Sequence, residues 1–194
     1  MSIAIDDPPN SRLFVVAGRN TSADFLRSVF EQYGVVSFVK YLREKGVAYV
    51  KYDRASSAAM AIEDLHEVTL NEGRGPRLKV MLADAPHTRA LSMLPTRLYE
   101  EDVGSSTDPD NIPPRSRLFM VVPKSADGAL IEAEMEAFGG MQYCKTDLIE
   151  SKGIVFVKYA RSSTAFLVIE RVSERGMVAG YKVKIMLAEP KTRR

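Results

Sequence analysis

The chain has 194 residues, 45% of them hydrophobic and 27% charged, and a formal net charge of +2 at pH 7. Composition of this kind excludes a chain disordered throughout, no apolar run approaches the ~20 residues that span a bilayer, and the lone Cys144 excludes an internal disulfide framework. With His66 and His87 as the only histidines, a zinc site lacks ligands; the small net charge permits a nucleic-acid partner without demanding one.

In chain order, RLFVVAG (12–18) is a β-branched and aromatic run bounded by Pro9 and Gly18, and it predicts a strand. TSADFLRSVFEQYG follows, with Thr21 and Ser22 as caps, Leu26, Val29, Phe30 and Tyr33 at helical spacing, and Gly34 as the stop. VVSFVKYLRE and KGVAYVKY predict two strands joined by a tight turn. SSAAMAIEDLHE predicts a second helix with Ala59, Ile62 and Leu65 inward, and RLKVMLAD closes as a fourth strand. The order is βαββαβ. The expected fold is α+β: a four-stranded antiparallel sheet with two helices on one face, leaving the other face bare.

The same unit occurs twice. PPNSRLFVV (8–16) matches PPRSRLFMV (113–121), KGVAYVKY (45–52) matches KGIVFVKY (152–159), and LKVMLAD (78–84) matches VKIMLAE (183–189). The spacing is that of one small domain plus a linker, too wide for a solenoid repeat. The expected domains are residues 10–86 and 115–190, with a linker over 87–114. The ending in KTRR suggests a piece of a longer protein.

Side chains alternate along a strand, so Lys45, Val47, Tyr49 and Lys51 share one face of the octet and Gly46, Ala48, Val50 and Tyr52 the other. Burying lysines beneath helices would be costly, so the lysine-bearing face is predicted to be the bare one. The same alternation puts Phe14 outward. In the second unit it gives Phe119, Lys152, Ile154, Phe156 and Lys158. Lys40 and Lys79 in the first unit, and Lys145, Lys182 and Lys184 in the second, are predicted to lie outward on neighbouring strands. Exposed rings flanked by cations suit unpaired nucleic acid: bases stack on the rings and lysines meet the phosphates.

LFVVAG with KGVAYVKY, and LFMVVP with KGIVFVKY, resemble the paired six- and eight-residue motifs of the RNA recognition motif family. The resemblance covers both repeats. It implies base or sugar contacts for Phe14 and Tyr49 in one unit and for Phe119 and Phe156 in the other. Val47 and Ile154 stand where the family usually carries a third ring. Weaker likenesses to Bruno-type and plant flowering-regulator members imply post-transcriptional regulation of mRNA and a nuclear or shuttling protein. The expected ligand is single-stranded RNA, with single-stranded DNA also acceptable; no enzyme activity, cofactor or membrane is expected. The alternative is a protein partner or self-association through the linker or the helical face.

Other conspicuous residues have plainer readings. Tyr33, Tyr41 and Phe30 are expected in the core, and Cys144 in QYCKTD is expected as a packed thiol. The acids of YEEDVGSSTDPD (99–110) are most simply a solvated tether, and a minor reading makes them a decoy competing for the basic faces. RALSMLPTRLY (89–99) is too apolar for a pure spacer and is expected to pack.

Overall fold

The computed structural model describes residues 6–70, 75, 77–83 and 108–190. His87, the apolar stretch 89–99 and the basic tail at Lys191, Arg193 and Arg194 lie outside the described residues. The chain divides into two compact units, Met1–Tyr99 and Glu100–Arg194.

In the first unit the elements are β1 (Arg12–Val16), α1 (Ala23–Phe30), β2 (Val36–Leu42), β3 (Val47–Tyr52), α2 (Ala55–Leu65) and β4 (Lys79–Leu82). The sheet is antiparallel in the order β2-β3-β1-β4. Ser22 caps α1 by accepting from the Phe25 amide, satisfying one of the helix's orphan donors. One 3₁₀ turn, Glu31–Tyr33, then carries the chain to Gly34. Leu13, Val15, Ala48, Val50 and Tyr52 face inward and are fully buried with Leu26, Phe30, Ala58 and Ala61 of the helices. Tyr33 and Tyr41 pack against this core. The Tyr52 hydroxyl donates to the Phe30 carbonyl at 2.7 Å, so its polar tip is satisfied inside the core.

The second unit repeats the plan with β5 (Arg117–Val121), α3 (Gly128–Glu136), β6 (Met141–Lys145), a short α4 (Ile149–Lys152), β7 (Ile154–Tyr159), α5 (Ser162–Arg175) and β10 (Lys184–Leu187). The sheet order is β10-β5-β7-β6. Leu118, Met120, Val155, Val157 and Tyr159 fill the inner face, and the Tyr159 hydroxyl donates to the Met135 carbonyl at 2.8 Å. Cys144 packs against this core, and burial, helped by the Glu132 charge, pushes its thiol up to about 12, which keeps it protonated and unreactive at neutral pH.

Two details differ from the sequence reading. A separate two-stranded hairpin, β8 (Met177–Val178) with β9 (Tyr181–Lys182), precedes β10. Lys182 therefore pairs with Met177 on that ribbon and not on the last strand of the four-stranded sheet. Lys45 and Lys152 belong to helical turns, Arg43–Lys45 and α4, rather than to the strands that follow. The cause is the glycine after each. Gly46 and Gly153 sit at φ +66° and +68°, and a Cβ there would lie 2.9 Å from the Gly18 carbonyl carbon or 2.7 Å from the Val122 carbonyl oxygen. Only glycine allows that left-handed bend so close to neighbouring backbone. The bend in turn lets each glycine carbonyl accept a backbone bond, at 2.9 Å, from Ala17 or from Val122.

Candidate nucleic-acid interface

The strand registers sort the outer face of each sheet into rows. In the first unit, one row reads Lys40, Tyr49, Phe14, Met81 across β2, β3, β1 and β4. The next reads Leu42, Val47, Val16, Lys79. The second unit gives Lys145, Phe156, Phe119, Met186 and then Ile154, Val121, Lys184. Directly opposed residues in an antiparallel pair project from the same face, so each set is contiguous.

The ring pairs are nearly superimposable in geometry. Phe14 and Tyr49 stand 5.5 Å apart between centroids at 61°, and Phe119 and Phe156 stand 5.5 Å apart at 58°. None of these four rings is buried, whereas the inward residues beside them are. Lys40 and Lys145 are exposed at one end of the ring rows, Lys79 and Lys184 are exposed in the rows beside them, and Lys45 and Lys152 are exposed in the turns at one end of the sheets. Apolar outer-face side chains add to the surface in the second unit, with Val121 at 39% and Met186 at 48% exposure.

A third row departs from expectation. It contains Phe38, Lys51 and Arg12 in the first unit and Tyr143, Lys158 and Arg117 in the second. Lys51 and Lys158 project from the predicted face, yet they are only 5% and 1% exposed. The segment ahead of each first strand folds back over them. Lys51 Nζ donates to the Pro8 carbonyl at 3.2 Å and to Ser11 Oγ. Lys158 Nζ donates to the Ile112 carbonyl at 2.8 Å, the Asp110 carbonyl at 3.2 Å and Ser116 Oγ. Burial pulls both ammonium groups below the ordinary lysine range, with nearby carboxylates acting against the shift. These two lysines are thus not free cations on an open face; they are posts that hold the PPNS and PPRS segments to the sheet.

The same segments bring acids onto the face. Asp6 Oδ1 lies 2.7 Å from Arg12 Nε, and Asp110 Oδ2 lies 3.5 Å from Arg117 Nη1. Arg12 Cζ stands 5.6 Å from the Tyr49 centroid, and Arg117 Cζ stands 5.5 Å from that of Phe156, both within cation–π reach. Arg117 Nη2 also donates to the Glu189 carbonyl at 2.6 Å. Tyr143 takes Lys145 Nζ over its ring at 4.5 Å. Burial, then a hydrogen bond to Asp110 and its charge, push the Tyr143 phenol up to about 12. Arg12, Arg117, Phe38 and Tyr143 were missed in the sequence, although the two-residue period that found Phe14, Lys40, Phe119 and Lys145 places each of them on the same face.

The model of the RNA recognition motif family matches residues 18–74. The first unit belongs to that family. RNA-binding protein 45 of Mus musculus is 29% identical over 200 residues, covering 98% of this chain and 37% of that protein. Flowering time control protein FCA of Arabidopsis thaliana is 28% identical over 185 residues, covering 89% of this chain and 22% of that protein. The chain thus spans well under half the length of these curated relatives. Among solved structures, the Sex-lethal RNA recognition domains 1 and 2 from Drosophila melanogaster match at 16% identity and TM-score 0.36, over 92% of this chain and 100% of that one. The RRM domain of S. pombe Puf1 matches at 32% identity and TM-score 0.35, over 38% of this chain and 97% of that one. Beside the RNA recognition motif of the first unit, the second has the same strand order and the same ring and lysine register. Among the described residues no group of three or more His, Cys, Asp or Glu could hold a metal ion.

Proposed function

We propose that the chain binds single-stranded RNA through the outer sheet faces of two tandem RNA recognition motifs, 10–86 and 115–190, acting together, and that it serves post-transcriptional regulation of mRNA in the nucleus. The observation that carries the RNA reading is the repetition of one arrangement. A tilted ring pair, flanked by Lys40 and Lys79 or by Lys145 and Lys184, occupies equivalent positions in both sheets. Rings stack on bases of any sequence at about 1–3 kcal/mol per base, and the flanking ammonium groups meet the backbone. The likeness to RNA-binding protein 45 supports RNA as the ligand, and that to a flowering time control protein supports a regulatory setting.

Two rings per unit, with Val47 and Ile154 in place of a third, make each platform weak alone. A linker of about 30 residues has an r.m.s. span of roughly 30 Å, and tethering at that length supplies a local concentration near millimolar. The test uses the full chain. Phe14→Ala with Tyr49→Ala, and separately Phe119→Ala with Phe156→Ala, should each weaken binding to a single-stranded RNA by more than tenfold, with native circular dichroism. If either pair left the affinity unchanged, that unit would not be part of the binding surface.

A further inference from the structure

The covered third row has the composition of a nucleotide site. Each contains one aromatic side chain, Phe38 or Tyr143, and two cations, Lys51 with Arg12 or Lys158 with Arg117, in register beside the ring pair. What covers it has the chemistry of a nucleotide backbone. A carboxylate meets the arginine, as a phosphate oxygen would, and carbonyl and hydroxyl oxygens meet the lysine. The arrangement occurs in both units, on segments of similar sequence, DDPPNSR (6–12) and DPDNIPPRSR (108–117). The lysine Nζ to serine Oγ bond is the same in both units, and in each an aspartate of the covering segment meets the arginine.

We propose that Phe38–Lys51–Arg12 and Tyr143–Lys158–Arg117 are each a further subsite for one nucleotide of single-stranded RNA, held closed in the free protein by the chain's own acidic segment acting as a phosphate mimic. The proposal rests on the RNA-binding reading above and deepens it. The two contacts differ in strength. The lysine end is nearly sealed, with Lys158 making three hydrogen bonds, so it anchors the segment. The acid end is the more accessible: the Asp6 and Asp110 side chains are 33% and 16% exposed. The arginine is therefore the cation that a phosphate can win from its internal partner, in competition with a carboxylate whose effective concentration is high because it is on the same chain. Closure in this way shortens the open platform of each sheet to the ring row and the row beyond it, and it sets a charge polarity. Acids lie at one end of the rings, and Lys45 or Lys152 at the other.

The experiment is a salt titration of the full chain with a single-stranded RNA of mixed sequence, long enough to span both units. Asp6→Asn with Asp110→Asn removes a carboxylate from beside each arginine. Affinity should rise at least threefold near 0.1 M salt, and the log–log salt slope should steepen by about 0.7 for each arginine that gains a phosphate, the single-strand value for one phosphate contact. Glu136→Gln, at the exposed end of α3, changes the net charge by one away from the sheet face, as Asp6→Asn alone does on it, and should give neither effect. Adding Arg12→Gln and Arg117→Gln to the Asn pair should abolish the gain. If the double Asn variant melts early, Asp6→Asn alone, at the more exposed carboxylate, puts the same question to the first unit. Wild-type slope and affinity in the Asn variants, or a gain matched by Glu136→Gln, would overturn the subsites. Absence of RNA binding by the wild-type chain would instead overturn the function on which they rest.

Discussion

Replacing Lys158 by methionine separates a structural lysine from a phosphate contact. Methionine keeps much of the aliphatic stem, so the change removes chiefly the ammonium group and its three hydrogen bonds, to the Asp110 and Ile112 carbonyls and to Ser116 Oγ. Hydrogen bonds from charged groups contribute about 1.5–3 kcal/mol each, and the acceptors they leave behind are on a segment that can partly rehydrate. Part of the loss is returned, because burial had already made the ammonium costly. A net cost of about 2–3 kcal/mol follows, equivalent to a fall in Tm of the second unit of roughly 10–20 °C at ~4–8 °C per kcal/mol. Thermal unfolding by circular dichroism reads the first effect, and a salt titration of RNA binding at low temperature reads the second. The slope should not become shallower, because the covering segment occupies the Lys158 ammonium. A Tm within about 2 °C of wild type, together with a slope reduced by about 0.7, would show that Lys158 reaches RNA and that the segment does not lie over it.

Lys145→Gln with Lys184→Gln, at exposed positions in the ring row and in the row beyond it, should do the reverse: a slope shallower by about 1.4 with little change in Tm, checked by the same two assays. Gly153→Ala should destabilise the second unit by about 1–3 kcal/mol in a urea melt, because its φ of +68° and the 2.7 Å approach to the Val122 carbonyl leave no room for a Cβ. Alkaline pH should weaken the second unit. The native Tyr143 phenol is raised from 10.0 to about 12, so below pH 10 both folded and unfolded forms hold the proton; between 10 and 12 only the folded form does, and stability falls as pH rises through that window. Phenolate absorbance should show Tyr143 ionising well above an exposed tyrosine, and ionisation near pH 10 would contradict the burial of the phenol beside Asp110.

Periodicity carried most of the site. Once the octets are strands, a two-residue alternation dictates that Tyr49 and Phe156 face away from Val50 and Val157, and the burial pattern agrees. The octets were read as strands from their first lysine onward, so the bends at Gly46 and Gly153 and the helical turns that hold Lys45 and Lys152 went unread. The fate of Lys51 and Lys158 was not legible from their own strands. Alternation says which face a side chain leaves from; it does not say what crosses that face. The covering residues, Pro8 to Ser11 and Asp110 to Ser116, have no period. Their message was in the repetition of PPxSR, which pairs a serine with a lysine some 40 residues later. The hairpin of Met177–Lys182 was hidden in the same way, since it needs Ala179 and Gly180 at positive φ and shows only as a short non-periodic step before the last strand.

The central claim is that RNA lies on the outer faces of both sheets, and backbone amide chemical-shift mapping of the full chain during titration with a single-stranded RNA tests it most directly. The account predicts that the largest shifts fall on β1, β3, β5 and β7 around Phe14, Tyr49, Phe119 and Phe156, extending to Lys40 and Lys145, with α1, α2, α3 and α5 little changed. Shifts concentrated on the helices, or confined to one unit at saturation, would contradict it.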